Sequence, residues 1–310
     1  MTEINARTTQ LASAAVFIAA SIWGLYWVPL RLFVENGVDG SWTVVLLNTP
    51  PIIALLPLVF IKRDEFKEHF FRAMLIGSLA GAGLALYATG LVFSSVVRAT
   101  LLFYLTPVWA TLLGLLWLGE RVGGTRWFVI ALGLGGMLLL LSGGDSTSEP
   151  LNIGDLYGLL SGIFWAAAAA MMKRYPSTSL TGMTFFQFVG VAAIASLIGL
   201  ITEATPIPEM ASIIASLPVA TIASIGLILP TVWIIFWAQR LLFPGRVGLL
   251  MMSEVLVAVI SASIFLPEER MASLEWLGAL LVIAACLIEV LATPTSQPRN
   301  RNFSRHLSKD

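Results

Sequence analysis

Charge is scarce in this chain: Asp, Glu, Lys and Arg make up 12% of its 310 residues, and they cancel to a net of zero. An ordinary soluble domain carries about 25%. A neutral chain also offers no general attraction for nucleic acid, so no such partner is expected. Cysteine occurs once, at Cys286 in the last apolar segment, which rules out an intrachain disulfide and reads as a buried thiol. The two histidines, His69 and His306, fall in a loop and in the tail, so no histidine cluster lies at membrane depth to hold a metal. Paired catalytic carboxylates and a P-loop are missing too. A membrane-embedded enzyme needs one of these arrangements and is disfavoured; no metal or cofactor is expected.

Apolar residues are what the chain has, at 57% of the total and a mean hydropathy of +0.88. A helix rises 1.5 Å per residue, so crossing a hydrocarbon core about 30 Å thick takes about 20 apolar residues. Ten segments approach that length, near 11–33, 42–61, 73–93, 99–118, 127–142, 155–173, 181–202, 218–239, 247–266 and 275–292. The fold class expected is therefore an all-α integral membrane protein with ten transmembrane helices. The first segment is too long for a signal peptide and is expected to stay as helix 1.

The placement of basic residues gives an orientation. With the N-terminus in the cytoplasm, cytoplasmic stretches collect Lys62, Arg63, Lys67, Arg72, Arg121, Arg126, Lys173, Arg174, Arg240, Arg246 and the arginines of the tail. Only Arg31, Arg98 and Arg270 fall on the other side. Basic residues resist translocation, so both termini are expected in the cytoplasm. A multi-pass protein of a plasma membrane is the expected setting, and the simple tail without a long targeting segment suits a bacterial inner membrane.

A polar stretch at 143–154 divides residues 1–142 from 155–292, five helices from five, and leaves 293–310 as a disordered basic tail. Ile22-Trp23-Gly24 is answered by Phe164-Trp165-Ala166, and the same offset pairs Arg31 with Lys173. Glu120-Arg121 with Trp127 is answered by Glu269-Arg270 with Trp276. Five is odd, so two such repeats enter the membrane from opposite sides. Inverted repeats favour a secondary transporter, in which one half rocks against the other around a site at the midplane.

The runs Ser21-Ile22-Trp23-Gly24, Leu105-Thr106-Pro107-Val108-Trp109 and Leu118-Gly119-Glu120-Arg121 resemble motifs of the drug/metabolite transporter superfamily, in its ten-helix EamA-type branch. The likeness covers essentially the whole chain in helix count, repeat plan and motif order. Within that superfamily it is most similar to the YddG-type amino-acid exporters. That resemblance implies export of amino acids, especially aromatic or hydrophobic ones, by alternating access. The second half departs from the pattern: Glu254-Val255 stands where helix 9 should carry a proline, and Pro267-Glu268-Glu269 replaces the leucine-glycine-glutamate step.

Glu254 is the acidic residue well inside a span, about 12 Å from the cytoplasmic end of helix 9. A carboxylate there is costly and faces either a cavity or a partner. It can bind a substrate ammonium or carry a coupling proton; it can also be a neutral acid that bonds another helix. Trp23 and Trp165, roughly a dozen residues from either helix end, are candidate cavity residues because a deep indole N–H needs a partner. Tyr87 in helix 3, Tyr104 and Trp109 in helix 4, and Trp237 in helix 8 are further candidates, although Tyr104 and Trp109 point about 140° apart. Asn48 and Gln187 are buried amides that either orient a zwitterion or join helices. Pro50, Pro51, Pro107 and Pro230 are candidate hinges, with a kink expected in helix 2. Trp127 and Trp276 read as interface anchors. Gly77 and Gly81 read as close helix packing, and helices 5 and 10, apolar in their middles, as peripheral.

The partners expected are a small solute, an amino acid or similar metabolite, and the bilayer, with proton coupling open and a monomer sufficient. Metabolites or lipophilic cations exchanged for protons are the alternative cargo, because aromatic faces and a carboxylate also hold cations.

Overall fold

The computed structural model describes residues 6–94, 96–141, 151–201, 207–265 and 273–291. The tail at 293–310, Glu268, Glu269, Arg270, most of the linker at 143–154 and the side chain of Trp27 lie outside the described residues. All regular elements among the described residues are helical. Span 1 is α1 (Ala6–Trp23) and α2 (Trp27–Glu35); span 2 is α3 (Ser41–Ile61), followed by the short link α4 (Arg63–Glu68). Span 3 is α5 (Phe70–Phe93), span 4 is α6 (Val96–Phe103) with α7 (Thr106–Trp117), and span 5 is α8 (Gly124–Leu140). Spans 6 and 7 are α9 (Ile153–Arg174) and α10 (Leu180–Ile201). Span 8 joins α11 (Met210–Ala223), a π-helical turn (Ser224–Ile228) and α12 (Leu229–Leu241). Span 9 is α13 (Pro244–Met251) and α14 (Ser253–Phe265), and span 10 is α15 (Ser273–Leu291). Nine of these are long and apolar enough to cross a membrane, and α8 is a shorter apolar helix of 17 residues.

Local sequence explains several helix ends. At the start of α9, the Asn152 side chain accepts from the backbone N–H groups of Gly154 and Asp155, and Asp155 accepts from the Asn152 N–H. This closes a reciprocal cap, with Lys173 and Arg174 placed to meet the negative end of the same helix. Proline opens α7, α12 and α13, where its missing N–H costs nothing. Gly119 takes a left-handed φ of 67°, which turns the chain so that the Glu120 N–H returns to the Gly114 carbonyl at 2.9 Å.

Packing between the halves follows a two-fold exchange. Span 3 lies against spans 6 and 7, and span 8 correspondingly against spans 1 and 2. Span 4 meets span 6 as span 9 meets span 1; spans 4 and 9 cross at the centre, and spans 5 and 10 pair with each other. Small residues set these distances. A Cβ on Gly77 would stand 2.5 Å from the Met183 carbonyl, and one on Gly81 2.7 Å from that of Gln187. One on Gly136 would stand 2.9 Å from the Gly278 carbonyl, joining α8 to α15. That pair is peripheral, with Phe128, Leu138, Leu280 and Leu287 exposed along its outer side.

One expectation is corrected: span 8 does not begin near 218. Span 2 runs as one helix through Pro50, Pro51 and Pro57. The Asn48 amide and the Thr49 hydroxyl fold back onto the Val44 and Val45 carbonyls at 2.8 and 2.7 Å, tightening the turn before the prolines. Span 8 starts at Met210, eight residues before 218, because Pro218 sits inside α11 instead of opening it.

Candidate functional site

Four spans lose regular α geometry at membrane depth: span 1 at Gly24–Tyr26, span 4 at Tyr104 and Leu105, span 8 at its π turn and span 9 at Met252. Irregular backbone inside a bilayer is tolerated only against protein or a wet cavity, and it frees polar groups that a solute can use. Three of the four meet in one place. A Cβ on Gly24 would run into the Glu254 carbonyl and stand 2.8 Å from Val257, so the break in span 1 lies directly on the first turn of α14. Tyr104, at the break in span 4, donates its hydroxyl to Glu254 Oε2 at 2.7 Å. The same hydroxyl lies 3.4 Å from the Met251 carbonyl, just before the break in span 9.

An aromatic shell surrounds this carboxyl group. Tyr104 meets Phe103 edge-on at 5.0 Å between centroids, and Phe103 stacks on Tyr87 at 4.5 Å. The Tyr87 hydroxyl is 3.2 Å from Thr100 Oγ1. Trp23 stacks on Tyr26 with ring planes 3° apart. The Tyr26 ring neighbours both Asn48 and Glu254, and Tyr87 also lies close enough to Glu254 to feel its charge. The chain has five tyrosines; three of them, Tyr26, Tyr87 and Tyr104, gather around one acid.

Of the residues singled out in the sequence, Trp23, Asn48, Tyr87, Tyr104 and Glu254 come together here. Pro107 opens α7 immediately after the break in span 4, and Pro230 follows directly on the π turn of span 8. Trp165 is buried but packs on Phe236 of α12, 6.2 Å away. Gln187 is fully buried at the α5–α10 contact, and its amide finds no hydrogen-bond partner in the protein. The buried indole nitrogen of Trp109 is likewise unpartnered. Trp237 does not join the centre: it is 37% exposed and shares a face with Pro230, opposite the buried Thr231, Ile235 and Gln239. Sequence spacing had no means of separating those two faces of an almost wholly apolar helix.

Tyr26 and Phe103 were not singled out, although Tyr26 falls three residues after Trp23 and could have been read from the glycine between them. A second cluster also escaped notice, on the face richest in basic residues. Arg126 Nη2 lies 2.9 Å from Glu289 Oε1, and Arg126 Nη1 lies 3.5 Å from Glu120. Arg246 Nε approaches the same Glu289 oxygen at 3.8 Å and reaches Ser13 Oγ at 2.9 Å. Glu120 lies beyond the end of span 4, and burial pushes its carboxyl up to about 7 in spite of Arg126. Glu289 sits near the end of an apolar segment, where a sequence reader expects a solvated charge.

A groove of about 550 Å³ opens away from both clusters, between α3 and α11, lined by Trp42, Pro50, Ile53, Leu217 and Ile225 among other apolar groups. It shares no residue with the Tyr104–Glu254 centre.

Comparison with known proteins decides the family. The model of the EamA-like transporter family matches this chain twice, over residues 10–142 and 152–291. The chain belongs to the EamA-like transporter family. The double match coincides with the two sets of five spans. A riboflavin transporter of Rhizobium johnstonii is 27% identical over 51% of this chain and 49% of its own length. An S-adenosylmethionine uptake transporter of Rickettsia felis is 28% identical over 47% of this chain and 49% of its own. The chain thus spans about half the length of these relatives. The uncharacterised transporter YoaV of Bacillus subtilis is 23% identical over 84% of this chain and 90% of its own. A solved crystal structure superposes with a TM-score of 0.69 over 91% of this chain and 97% of that one, at 16% identity, a likeness of fold alone. Two of these relatives are named for riboflavin and for S-adenosylmethionine uptake and the third for no solute, so they lend no support to a special closeness to amino-acid exporters.

Proposed function

We propose that this EamA-family transporter exports small organic solutes that join an apolar or aromatic body to a cationic end, with amino acids as the leading class. The observation that carries the reading is Glu254, held by Tyr104 across the two repeats and ringed by Trp23, Tyr26, Tyr87 and Phe103. A carboxylate in a ring of aromatic faces suits an ammonium group by charge and by cation–π contact, while the rings cover apolar bulk. Asn48 is placed to meet the polar end of a zwitterion. Trp165, Gln187 and Trp109 belong to an outer ring that a moving solute meets before or after the centre; the unpaired groups of Gln187 and Trp109 supply hydrogen bonds. Pro107 and Pro230 are the hinges. The basic-rich face is the cytoplasmic one, with both ends of the chain on that side of a plasma membrane.

A second reading has its own support. A relative named for S-adenosylmethionine uptake points to cationic metabolites, and a titrating Glu254 would exchange them for protons. Counterflow in proteoliposomes tests both. Protein preloaded with unlabelled phenylalanine, tryptophan, threonine or methionine is followed for labelled uptake with and without a pH gradient, beside riboflavin and S-adenosylmethionine. Amino-acid exchange that drops at least about tenfold in Glu254→Gln supports the first reading. Exchange of only the sulfonium compound, driven by the gradient, supports the second, and no exchange of any solute by folded protein overturns both.

A further inference from the structure

The cluster on the basic-rich face is built unlike a stabilising salt bridge. Three of its four charged groups are nearly removed from solvent, Arg246 at 4% exposed, Glu120 at 8% and Glu289 at 2%, while the Arg126 side chain keeps 18%. Two cations share one carboxylate oxygen, Glu289 Oε1, which accepts no aligned hydrogen bond, and Glu120 Oε2 accepts none either. Buried charges held this loosely give poor returns in stability, because desolvation offsets most of their attraction. Such an arrangement suits a group that must let go.

Its position says what is released. From the breaks at Tyr104 and Met252, α7 and α13 run side by side to the basic-rich face. A Cβ on Gly245 would collide with the Thr111 hydroxyl and lie 3.2 Å from Thr111 Cα; one on Gly248 would lie 3.2 Å from Pro107 Cα. Every residue of α13 is buried. These two half-helices therefore close the basic-rich side beneath Glu254, and both are tied down at their far ends. Glu120, just beyond α7, is held by Arg126 of α8. Arg246, in the first turn of α13, is held by Glu289 of α15, by Ser13 of α1 and by the Val290 carbonyl at 3.1 Å. The post for both ties is the α8–α15 pair, fixed along its length by the Gly136–Gly278 contact.

We propose that Glu289 is the hub of an ionic latch that holds α7 and α13 closed on the basic-rich side, and that its release exposes the Tyr104–Glu254 centre to that side. The latch rests on the reading of this centre as the transport site, but its test needs no substrate. Around the hub stand Arg126, Arg246 and Glu120, with Lys173 near Glu120. Swinging α7 and α13 outward would trade these contacts for water, giving two states of comparable energy.

The test is reaction of a cysteine at position 111 with a membrane-impermeant maleimide, in Thr111→Cys/Cys286→Ser protein reconstituted in vesicles of known orientation. Thr111 is fully buried under Gly245, so labelling reports separation of α7 from α13. Glu289→Gln should speed labelling from the basic-rich face by about tenfold and leave the opposite face unchanged. Ser13→Ala, a milder variant that keeps every charge, should raise it about twofold to threefold. Unchanged rates in folded protein, or an equal rise from both faces, would overturn the latch. If Glu289→Gln fails to fold, Ser13→Ala is judged by the same two results. A latch that responds while no solute exchanges would sink the transport reading and leave the latch standing.

Discussion

Spans 4 and 9 break at corresponding depths, but by different means. In span 4 the cause is local. Pro107 has no N–H to offer the Phe103 carbonyl four residues back, and the Thr106 hydroxyl next to it takes over that carbonyl. In span 9 there is no proline at the break. The carbonyls around Met252 are collected by other helices: Cys286 of span 10 donates to the Leu249 carbonyl at 3.5 Å, and Tyr104 of span 4 reaches that of Met251. Ser253, the first residue of α14, donates in turn to the Phe17 carbonyl of span 1 at 3.0 Å. One break is written in two adjacent residues, and the other is assembled from three distant spans. Two repeats can thus hold the same break, one with a proline to make it and one without.

Tyr104→Phe should divide the two breaks most sharply. It removes the hydroxyl that serves both Glu254 and Met251, leaving buried acceptors short by about 1–3 kcal/mol, and counterflow should fall at least about tenfold. Exchange at the native rate would detach the break in span 9 from its tyrosine. Pro107→Ala acts on the local side. It returns an N–H to the Phe103 carbonyl, and exchange should fall about fivefold while the melting midpoint in detergent holds or rises; a falling midpoint would mean that the proline serves packing against Gly248.

The end of span 4 has a pH signature of its own. Glu120 rises from 4.5 to about 7 through burial, so the folded protein holds its proton more tightly than the unfolded chain does. The stability this confers is complete below the ordinary value and disappears as pH rises through about 7. The melting midpoint should therefore drop between pH 5 and about pH 8, and Glu120→Gln should flatten that slope. Thr106→Val removes only the hydroxyl over Phe103 and should cost about 1 kcal/mol, read from the same melts. Cys286→Ala is expected to be the mildest, about 0.5 kcal/mol or less, because a thiol is a weak donor. A larger loss would make span 10 the main support of the break in span 9.

What could be read in the sequence follows the same division. Ten spans, their halves and most of their ends come from apolar runs, because a bilayer demands length and hydrophobicity in one unbroken stretch. Glu254 and Tyr104 stood out, one as an acid at membrane depth and the other beside a helix-breaking proline. Pro50-Pro51 left more open: proline predicts a lost hydrogen bond, but whether the helix parts there depends on its neighbours, and span 2 stays helical through both. Glu289 and Arg246 were overlooked because the chain gives no clue that charges near helix ends are covered by other helices. Trp237 and Trp23 differ only in which side of a span they occupy, and an apolar stripe all the way around carries no record of that side.

Span 3 has a consequence for how the protein is made. Its main neighbours are spans 6 and 7, and Ser94 at its end donates to Asp155 at 2.5 Å, 61 residues later. When the first five spans leave the ribosome, the Gly77–Gly81 face of α5, packed on α10 in the finished protein, and the Gly83 face, packed on α9, still lack those partners. The first half therefore waits in the bilayer, inserted but unfinished, until the second is threaded beside it. A chain that stops before Asn152 should be a target for membrane proteases, and supplying 151–310 as a separate polypeptide should rescue it.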